Sequence, residues 1–214
     1  MTYGADVLGD FYKRRNALRH LLLGRGWFDA SKALEMALEY HRGVRKDGET
    51  PEVAHPIAVA LWVWTLSPQL LHPQESVCTA LLHDICEDHN VSFEEIENRF
   101  GPLVAQAVRA MTKEYRGRKI PEDQVFDAIS RCPVASIVKP GDRLNNQDSM
   151  LGVFSPEKMV AYVTETEELI LPAIKRARRR FPEQEPAYQN AKLGLESQVH
   201  MVQGLLSIHS PELA

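Results

Sequence analysis

Cysteine is scarce in this sequence, and the few cysteines present form no recognisable framework. The three cysteines among 214 residues are Cys78, Cys86 and Cys132, and no two of them have Cys-x-x-Cys spacing. An odd and sparse set argues against disulfide bridges and favours a reducing compartment. We therefore expect a cytosolic protein whose chemistry does not depend on thiolates.

Long hydrophobic runs and an excess of basic charge are also missing. The longest apolar runs are too short to span a bilayer, and residues 1–15 mix charged residues with few apolar ones, unlike a signal peptide. The net charge is −4, so no overall basic field attracts nucleic acid. We expect neither a membrane nor a nucleic-acid partner. A small anionic substrate is compatible, because a metal ion and local cations can supply positive charge.

The alternating apolar pattern of β-strands is absent as well, whereas helical periodicity extends over most of the chain. Ile57, Ala60, Leu61 and Trp64 show the i, i+3, i+4, i+7 spacing most clearly. Helix boundaries are predicted by a capping box over 92–95 and by proline following Gly101 and Ser155. We predict an all-α fold in one domain over 1–214. Its core covers about 30–151, helices are added at both ends, and residues 113–123 are flexible.

The segment from Leu81 to His89 carries the most informative group of polar residues, Leu-Leu-His-Asp-Ile-Cys-Glu-Asp-His. On a continuous helix, the apolar stripe of Val77, Ala80 and Leu81 would extend to position 84, which is Asp84. A carboxylate on a core face must be paired or bind a metal, since an isolated buried charge is too costly. Asp84 is therefore a candidate metal ligand, together with its neighbour His83.

A second acid interrupts a second apolar stripe. Val134, Ile137 and Val138 extend their stripe to 141 and 142, and position 142 is Asp142. Asn146 follows one turn later on the same face. A third candidate position is His55, just before the apolar helix of residues 57–64.

Together these positions form a nitrogen and oxygen set suited to Mn²⁺, Fe²⁺ or Zn²⁺: His55, His83, Asp84 and Asp142. A metal in this set would polarise a phosphoryl oxygen or lower the pKa of a water molecule. Glu87 and Asp88, one turn further on, could orient and deprotonate the attacking water. Each residue alone has an ordinary alternative: a structural histidine, or an acidic face in solvent. Two acids on two apolar stripes favour the metal interpretation.

Five motifs in this order resemble the HD-domain hydrolases of the RelA/SpoT type, including the small stand-alone alarmone hydrolases. They lie at residues 40–49, 54–60, 80–88, 100–113 and 139–146, within a span from about 30 to 151. The resemblance implies an all-α HD-domain bundle with one Mn²⁺ held by the four ligands named above, and Glu87 and Asp88 activating water. It implies that Arg45, Lys46 and Asn146 contact a nucleotide, and that the 3′-pyrophosphate of (p)ppGpp is removed.

Two departures from the family pattern leave the substrate open. The family usually has Thr where this chain has His89, and Leu-Ala where it has Pro140-Gly141. Pro140 would either kink a helix or form a turn after which Asp142 opens a new helix. The alternatives are an HD phosphohydrolase for NADPH, dNTPs or nucleoside monophosphates, and a non-catalytic nucleotide-binding protein. The oligomeric state stays open.

Overall fold

A computed structural model describes residues 6–209, and these residues form the predicted all-α fold. The helices are α1 (Val7–Arg25), α2 (Phe28–Tyr40), α3 (Ala54–Thr65), α4 (Pro73–Leu82), α5 (Ile85–Asp88), α6 (Phe93–Phe100), α7 (Pro102–Met111), α8 (Glu122–Arg131), α9 (Ala135–Met150), α10 (Pro156–Glu165), α11 (Leu171–Arg180) and α12 (Glu185–His209). A π-helical segment, Thr166–Ile170, joins α10 to α11, so the chain is helical from Pro156 to Arg180.

The predicted helix starts are confirmed by the local hydrogen bonds. The Ser92 side chain caps α6 by accepting a hydrogen bond from the Glu95 backbone N–H at 3.1 Å. The Ser155 side chain caps α10 by accepting from the Lys158 backbone N–H at 3.4 Å. Helix α7 begins at Pro102, where a missing backbone N–H costs no intrahelical hydrogen bond. Short polar caps and proline therefore divide the chain into the predicted helices.

Helices α3, α4 and α9 pack against one another in the core, and α2, α7 and α8 surround them. Their facing side chains are apolar and buried, including Ile57 on α3, Leu81 on α4 and Ile137 on α9. Burying such a side chain contributes about 1.5–3 kcal/mol to folding. This packing brings the start of α3, the end of α4 and the middle of α9 to one place.

Helix α9 continues through Pro140 and Gly141, so the alternative in which Asp142 opens a new helix is wrong. Pro140 cannot donate a backbone hydrogen bond within the helix, yet burial on several sides holds this segment helical. A Cβ atom on Gly141 would lie 2.6 Å from Cε3 of Trp62 on α3. Glycine thus permits a close approach of α9 to α3, which brings Asp142 near the helix that carries His55.

The segment over residues 113–123, predicted to be flexible, contains a small β-hairpin. Strand β1 (Glu114–Tyr115) pairs antiparallel with β2 (Arg118–Lys119). Arg116 and Gly117 have φ values of 52° and 75°, as the two-residue turn of a tight hairpin requires. The prediction of no strand is therefore wrong at this position. Strands of two residues are too short to show an alternating pattern.

The C-terminal helix α12 packs against α9, α10 and α11. It contributes to a small second apolar cluster whose buried members are Met150, Val163, Val199, Val202 and Leu206. The segments outside the motif-bearing region thus support the helix that carries Asp142. Within residues 6–209, no helix has both the length and the hydropathy needed to cross a membrane.

Candidate metal centre and substrate cavity

His55 and His83 bring two ring nitrogens together at the candidate site. His55 lies in the first turn of α3, His83 directly follows α4, and their Nε2 atoms are 3.2 Å apart. The His55 Nδ1–H donates to Oδ1 of Asn145 at 2.6 Å, and the His83 Nδ1–H donates to the Ala80 carbonyl at 2.9 Å. In the neutral form of each ring Nδ1 carries the proton, so the two Nε2 lone pairs then face each other.

Two carboxylates complete the cluster. Oδ1 of Asp142 lies 3.1 Å from Nε2 of His55 and 3.6 Å from Nε2 of His83. Oδ2 of Asp84, which lies between α4 and α5, is 3.0 Å from Nε2 of His83 and 3.9 Å from Nε2 of His55. The structure brings all four sequence-predicted ligand residues together from three parts of the chain.

This donor set can hold a divalent metal ion. Two imidazole nitrogens and two carboxylate oxygens are suited to Mn²⁺, Fe²⁺ or Zn²⁺. The hydrogen bonds from each Nδ1–H to a carbonyl oxygen are the usual support for metal-binding histidines, because they fix the tautomer and the ring orientation. Lone pairs and anionic oxygens directed at one small space are stable together only if a positive charge lies among them.

The buried charges around this cluster compensate one another. Burial opposes ionisation of Asp142, but the Lys139 ammonium, 2.8 Å from its Oδ2, and the two nearby imidazoles hold the pKa of Asp142 well below its usual range. Burial also disfavours the protonated form of His83, whereas the carboxylates of Asp84 and Asp142 raise the pKa of His83 well above its usual value. The site therefore favours positive charge between the rings.

The path of the chain around Asp84 differs from the prediction. Helix α4 ends at Leu82, and a separate short helix, α5, begins at Ile85. The expected continuous helix across this segment is thus wrong, and so is the expectation that Asp84 lies on a buried face, since its side chain is 43% exposed. The break directs Asp84 towards a cavity instead of the core.

The cavity beside the cluster has a volume of about 520 Å³, and both predicted water-activating acids line it. Oε2 of Glu87 accepts hydrogen bonds from the backbone N–H groups of Lys113 at 2.8 Å and Glu114 at 3.4 Å, so the hairpin segment holds this carboxylate in place. Asp88 lines the cavity, where partial desolvation raises its pKa to about 6, and the carboxylates of Asp84 and Glu87 add to this shift. A carboxylate with that pKa can exchange protons near neutral pH.

The three predicted nucleotide contacts line the same cavity. One guanidinium nitrogen of Arg45 donates to Oγ of Ser149 at 2.9 Å and to Oδ1 of Asn146 at 3.4 Å. The Asn146 amide in turn donates to Oδ1 of Asp142 at 2.6 Å. Arg45 is thus connected to the cluster of candidate ligands through one side chain, while Lys46 lies over the Phe154 ring with its Nζ 5.3 Å from the centroid.

Comparisons with known proteins concern the fold that carries this site. Residues 33–130 match the family described as HD domain. This segment of the chain is therefore an HD domain. Asp142 lies beyond the matched segment, so its place in the cluster comes from the packing of α9 against the HD domain. A solved structure described as a metazoan ortholog of SpoT that hydrolyses ppGpp shares the fold. It is 23% identical, has a TM-score of 0.59, and covers 81% of this chain and 94% of that chain.

Curated relatives match over a longer stretch. The chain is 34% identical over 154 residues to guanosine-3′,5′-bis(diphosphate) 3′-pyrophosphohydrolase of Aquifex aeolicus, covering 69% of this chain and 21% of the relative. It is 28% identical over 153 residues to the bifunctional (p)ppGpp synthase/hydrolase SpoT of Escherichia coli, covering 68% and 21%. The matched part of the chain therefore covers only 21% of the length of each of these relatives.

Two residues near the site, Lys139 and Lys158, received no role from the sequence patterns. Lys139 precedes Asp142 by three residues, and only the helical register of α9 connects the two. Lys158, on α10, lies with its Nζ 3.7 Å from the centroid of the Phe154 ring, which also faces Lys46. Two ammonium groups on one aromatic ring at the cavity suit a polyanionic ligand. Lys158 lies in the region where sequence motifs gave no guidance.

Proposed function

We propose that this chain is a metal-dependent phosphohydrolase that removes the 3′-pyrophosphate of (p)ppGpp in the cytosol. The observation that carries the proposal is the convergence of four side chains with nitrogen and oxygen donors at the wall of a cavity that both carboxylates and basic side chains line. The names of the relatives give the substrate class. The whole chain would act as a single HD phosphohydrolase domain.

The metal would be held by His55, His83, Asp84 and Asp142, and Mn²⁺ is the proposed ion because the set contains as many hard oxygen ligands as nitrogens. When bound, the ion supplies positive charge that withdraws electrons from a phosphoryl group and lowers the pKa of water. A set with two anionic and two neutral ligands leaves the ion with enough Lewis acidity for this task.

In the proposed reaction a water molecule attacks the phosphorus attached to the ribose O3′, and the O3′–P bond breaks. Asp88 accepts a proton from the water, and its pKa of about 6 suits a group that returns this proton to O3′. Glu87, held by the hairpin amides, orients the same water. The products are pyrophosphate and the 5′-diphosphate nucleoside, so atoms and charge balance.

Three groups would bind the nucleotide. Arg45 is placed for bidentate contact with a phosphate or for stacking on the purine, and Lys46 offers a point charge. Asn146 would link Arg45 to the metal cluster through its hydrogen bonds to both partners. These cations lie on the cavity wall together with Ser149, which orders Arg45 before substrate arrives.

The test is a substrate panel on chelator-treated protein supplied with Mn²⁺. We expect ppGpp to be converted to GDP and pyrophosphate, with NADPH, dNTPs and nucleoside monophosphates turned over far more slowly. Turnover of one of these alternatives with ppGpp inert would refute the proposed substrate. Tight ppGpp binding without turnover would refute the proposal that the protein is an enzyme.

Variants separate metal binding from proton transfer. Glu87→Gln and Asp88→Asn should keep the metal while activity falls by roughly 10²–10⁴-fold, the usual range for a lost acid–base group. Asp84→Asn should lose metal and activity together, because ligand charge drops. Glu94→Gln, an exposed position on α6, is the matched control and should change neither. Loss of metal in the first two variants would assign those acids to coordination instead.

Nucleotide binding is tested on the loop after α2. Arg45→Ala should raise KM more than it lowers kcat, because Arg45 binds the substrate without touching the reacting water. Arg42→Ala is the matched control, since the Arg42 side chain donates to the Glu39 carbonyl and is exposed. An unchanged KM in Arg45→Ala would contradict the assigned role.

A further inference from the structure

A second cluster of side chains that could hold a metal ion lies at the edge of the cavity, outside the proposed centre, and two of its members, His41 and Glu52, line the cavity. It consists of His41, Glu52 and His89, whose candidate ligand atoms all lie within 4.8 Å of one another. His41 directly follows α2, Glu52 precedes α3, and His89 directly follows α5. His89 is also the position at which this chain departs from the family's usual Thr. The cluster therefore brings together three residues to which the proposed reaction gives no role.

The geometry of this cluster repeats that of the first. Nε2 of His89 and Nδ1 of His41 are 3.2 Å apart, the same separation as between the Nε2 atoms of His55 and His83. The two rings meet edge to face at 71° in the second pair and at 65° in the first. Nitrogens bound at about 2.0–2.1 Å in a tetrahedral site would be roughly 3.3–3.4 Å apart, so this spacing suits a shared ion.

Glu52 is held in place to supply the third ligand. Its Oε2 accepts a hydrogen bond from the Gly43 backbone N–H at 3.2 Å, and its Oε1 lies 3.7 Å from Nδ1 of His41. A Cβ atom on residue 43 would lie only 2.9 Å from Oε2, so glycine leaves room for this carboxylate. Support of one carboxylate oxygen by a backbone amide, with the other directed at imidazole, is an arrangement that orients metal ligands.

We propose that His41, Glu52 and His89 bind a second divalent transition-metal ion, with Zn²⁺ as the best match. Two imidazoles and one carboxylate are a common zinc ligand set, with a solvent molecule in the fourth position. The ion would tie both ends of the loop over 41–53, which carries Arg45 and Lys46, to the end of α5. The proposal does not rest on the proposed reaction, because none of these three residues belongs to the first cluster.

The experiment measures bound Zn²⁺ per chain, by mass spectrometry of metals and by calorimetric titration of chelator-treated protein. Wild-type protein should bind two ions, and Asp142→Asn should keep the second one. His89→Ala and Glu52→Gln should each lose one ion, and the double variant Asp142→Asn/His89→Ala should bind none. His20→Ala, at an exposed histidine on α1, is the control and should match wild type. Circular dichroism confirms that each variant is folded.

The second equivalent of Zn²⁺ should also slow amide hydrogen exchange across residues 43–52, and His89→Ala should abolish that slowing. Wild-type protein that binds one ion, with His89→Ala and Glu52→Gln binding the same number, would overturn the proposal. A single ion lost in His89→Ala but kept in Asp142→Asn would instead support this site and refute the first one. A fall in His20→Ala equal to that in His89→Ala would also overturn the proposal, because binding would not be specific.

Discussion

Lys139→Met tests whether the buried Lys139 ammonium compensates the negative charge of Asp142 when no metal ion is bound. Lys139 and Asp142 are both buried, with Nζ and Oδ2 2.8 Å apart, and methionine retains most of the lysine stem. Removing one partner of a buried ion pair costs about 3–5 kcal/mol, because the other charge is left without compensation. Asp142 keeps the Asn146 amide at 2.6 Å and the His55 ring at 3.1 Å, so we expect the lower end, about 3 kcal/mol.

The assay is thermal unfolding with chelator and with saturating Mn²⁺. For a chain of this size, about 3 kcal/mol corresponds to a fall in Tm of roughly 6–12 °C in chelator. With Mn²⁺ the fall should be less than half as large, because the cation then neutralises Asp142. Lys192→Met is the matched control: its pair with Glu196, 3.5 Å long, is exposed and is worth at most about 1 kcal/mol under either condition.

The double variant Lys139→Met/Asp142→Asn identifies the cause. Without metal it should be more stable than Lys139→Met alone, since the second substitution removes the uncompensated charge. An equal fall in Tm with and without Mn²⁺ would refute the reasoning and assign Lys139 to packing. A double variant less stable than the single one would refute the electrostatic explanation as well.

Three further predictions follow from the site. If Asp88 must be unprotonated to accept a proton, its pKa of about 6 predicts that kcat/KM rises with pH around 6, and that Asp88→Asn loses this limb in a pH–rate profile. Gly141→Ala should destabilise the fold by about 1–3 kcal/mol in urea unfolding, because its Cβ would overlap Trp62, whereas Gly204→Ala has open space and should be neutral or stabilising. Lys158→Ala should raise KM for a polyphosphorylated substrate several-fold with kcat nearly unchanged. A KM equal to that of the wild-type protein would contradict a role of Lys158 in binding the substrate.

The residues that could be predicted from sequence are those governed by local periodicity. The stripe of Val134, Ile137 and Val138 places Asp142 on a buried face, because α9 is regular there. The same reasoning failed at Asp84, because α4 ends two residues earlier and the helical projection no longer applies. Asp84 nevertheless reaches the cluster. Its position is set by the break between α4 and α5, and not by a continuous helical register.

The remaining features depend on contacts that sequence spacing does not encode. His41 and His89 are 48 residues apart in the chain, and their meeting depends on how α2 packs against α4. The hairpin that holds Glu87 is too short for any periodic pattern. Pro140 predicted either a kinked helix or a turn, and the helix continues through it because tertiary packing outweighs local propensity. In each case the decisive interaction is a long-range one.

The distribution of charge in the cavity predicts that binding of an anionic substrate depends on bound metal ions. Glu52, Asp84, Glu87 and Asp88 all line the cavity that would receive a polyanionic nucleotide. Carboxylates on the wall of one cavity repel phosphate, because the effective dielectric constant near a protein surface is lower than in water. Arg45 and Lys46 also line this cavity, but two cations cannot offset four carboxylates and several phosphate charges. The carboxylates, including the two that would act on the water, therefore lower the affinity of the cation-free cavity for an anionic nucleotide. Affinity for the nucleotide is thus expected to depend on bound cations as strongly as catalysis does.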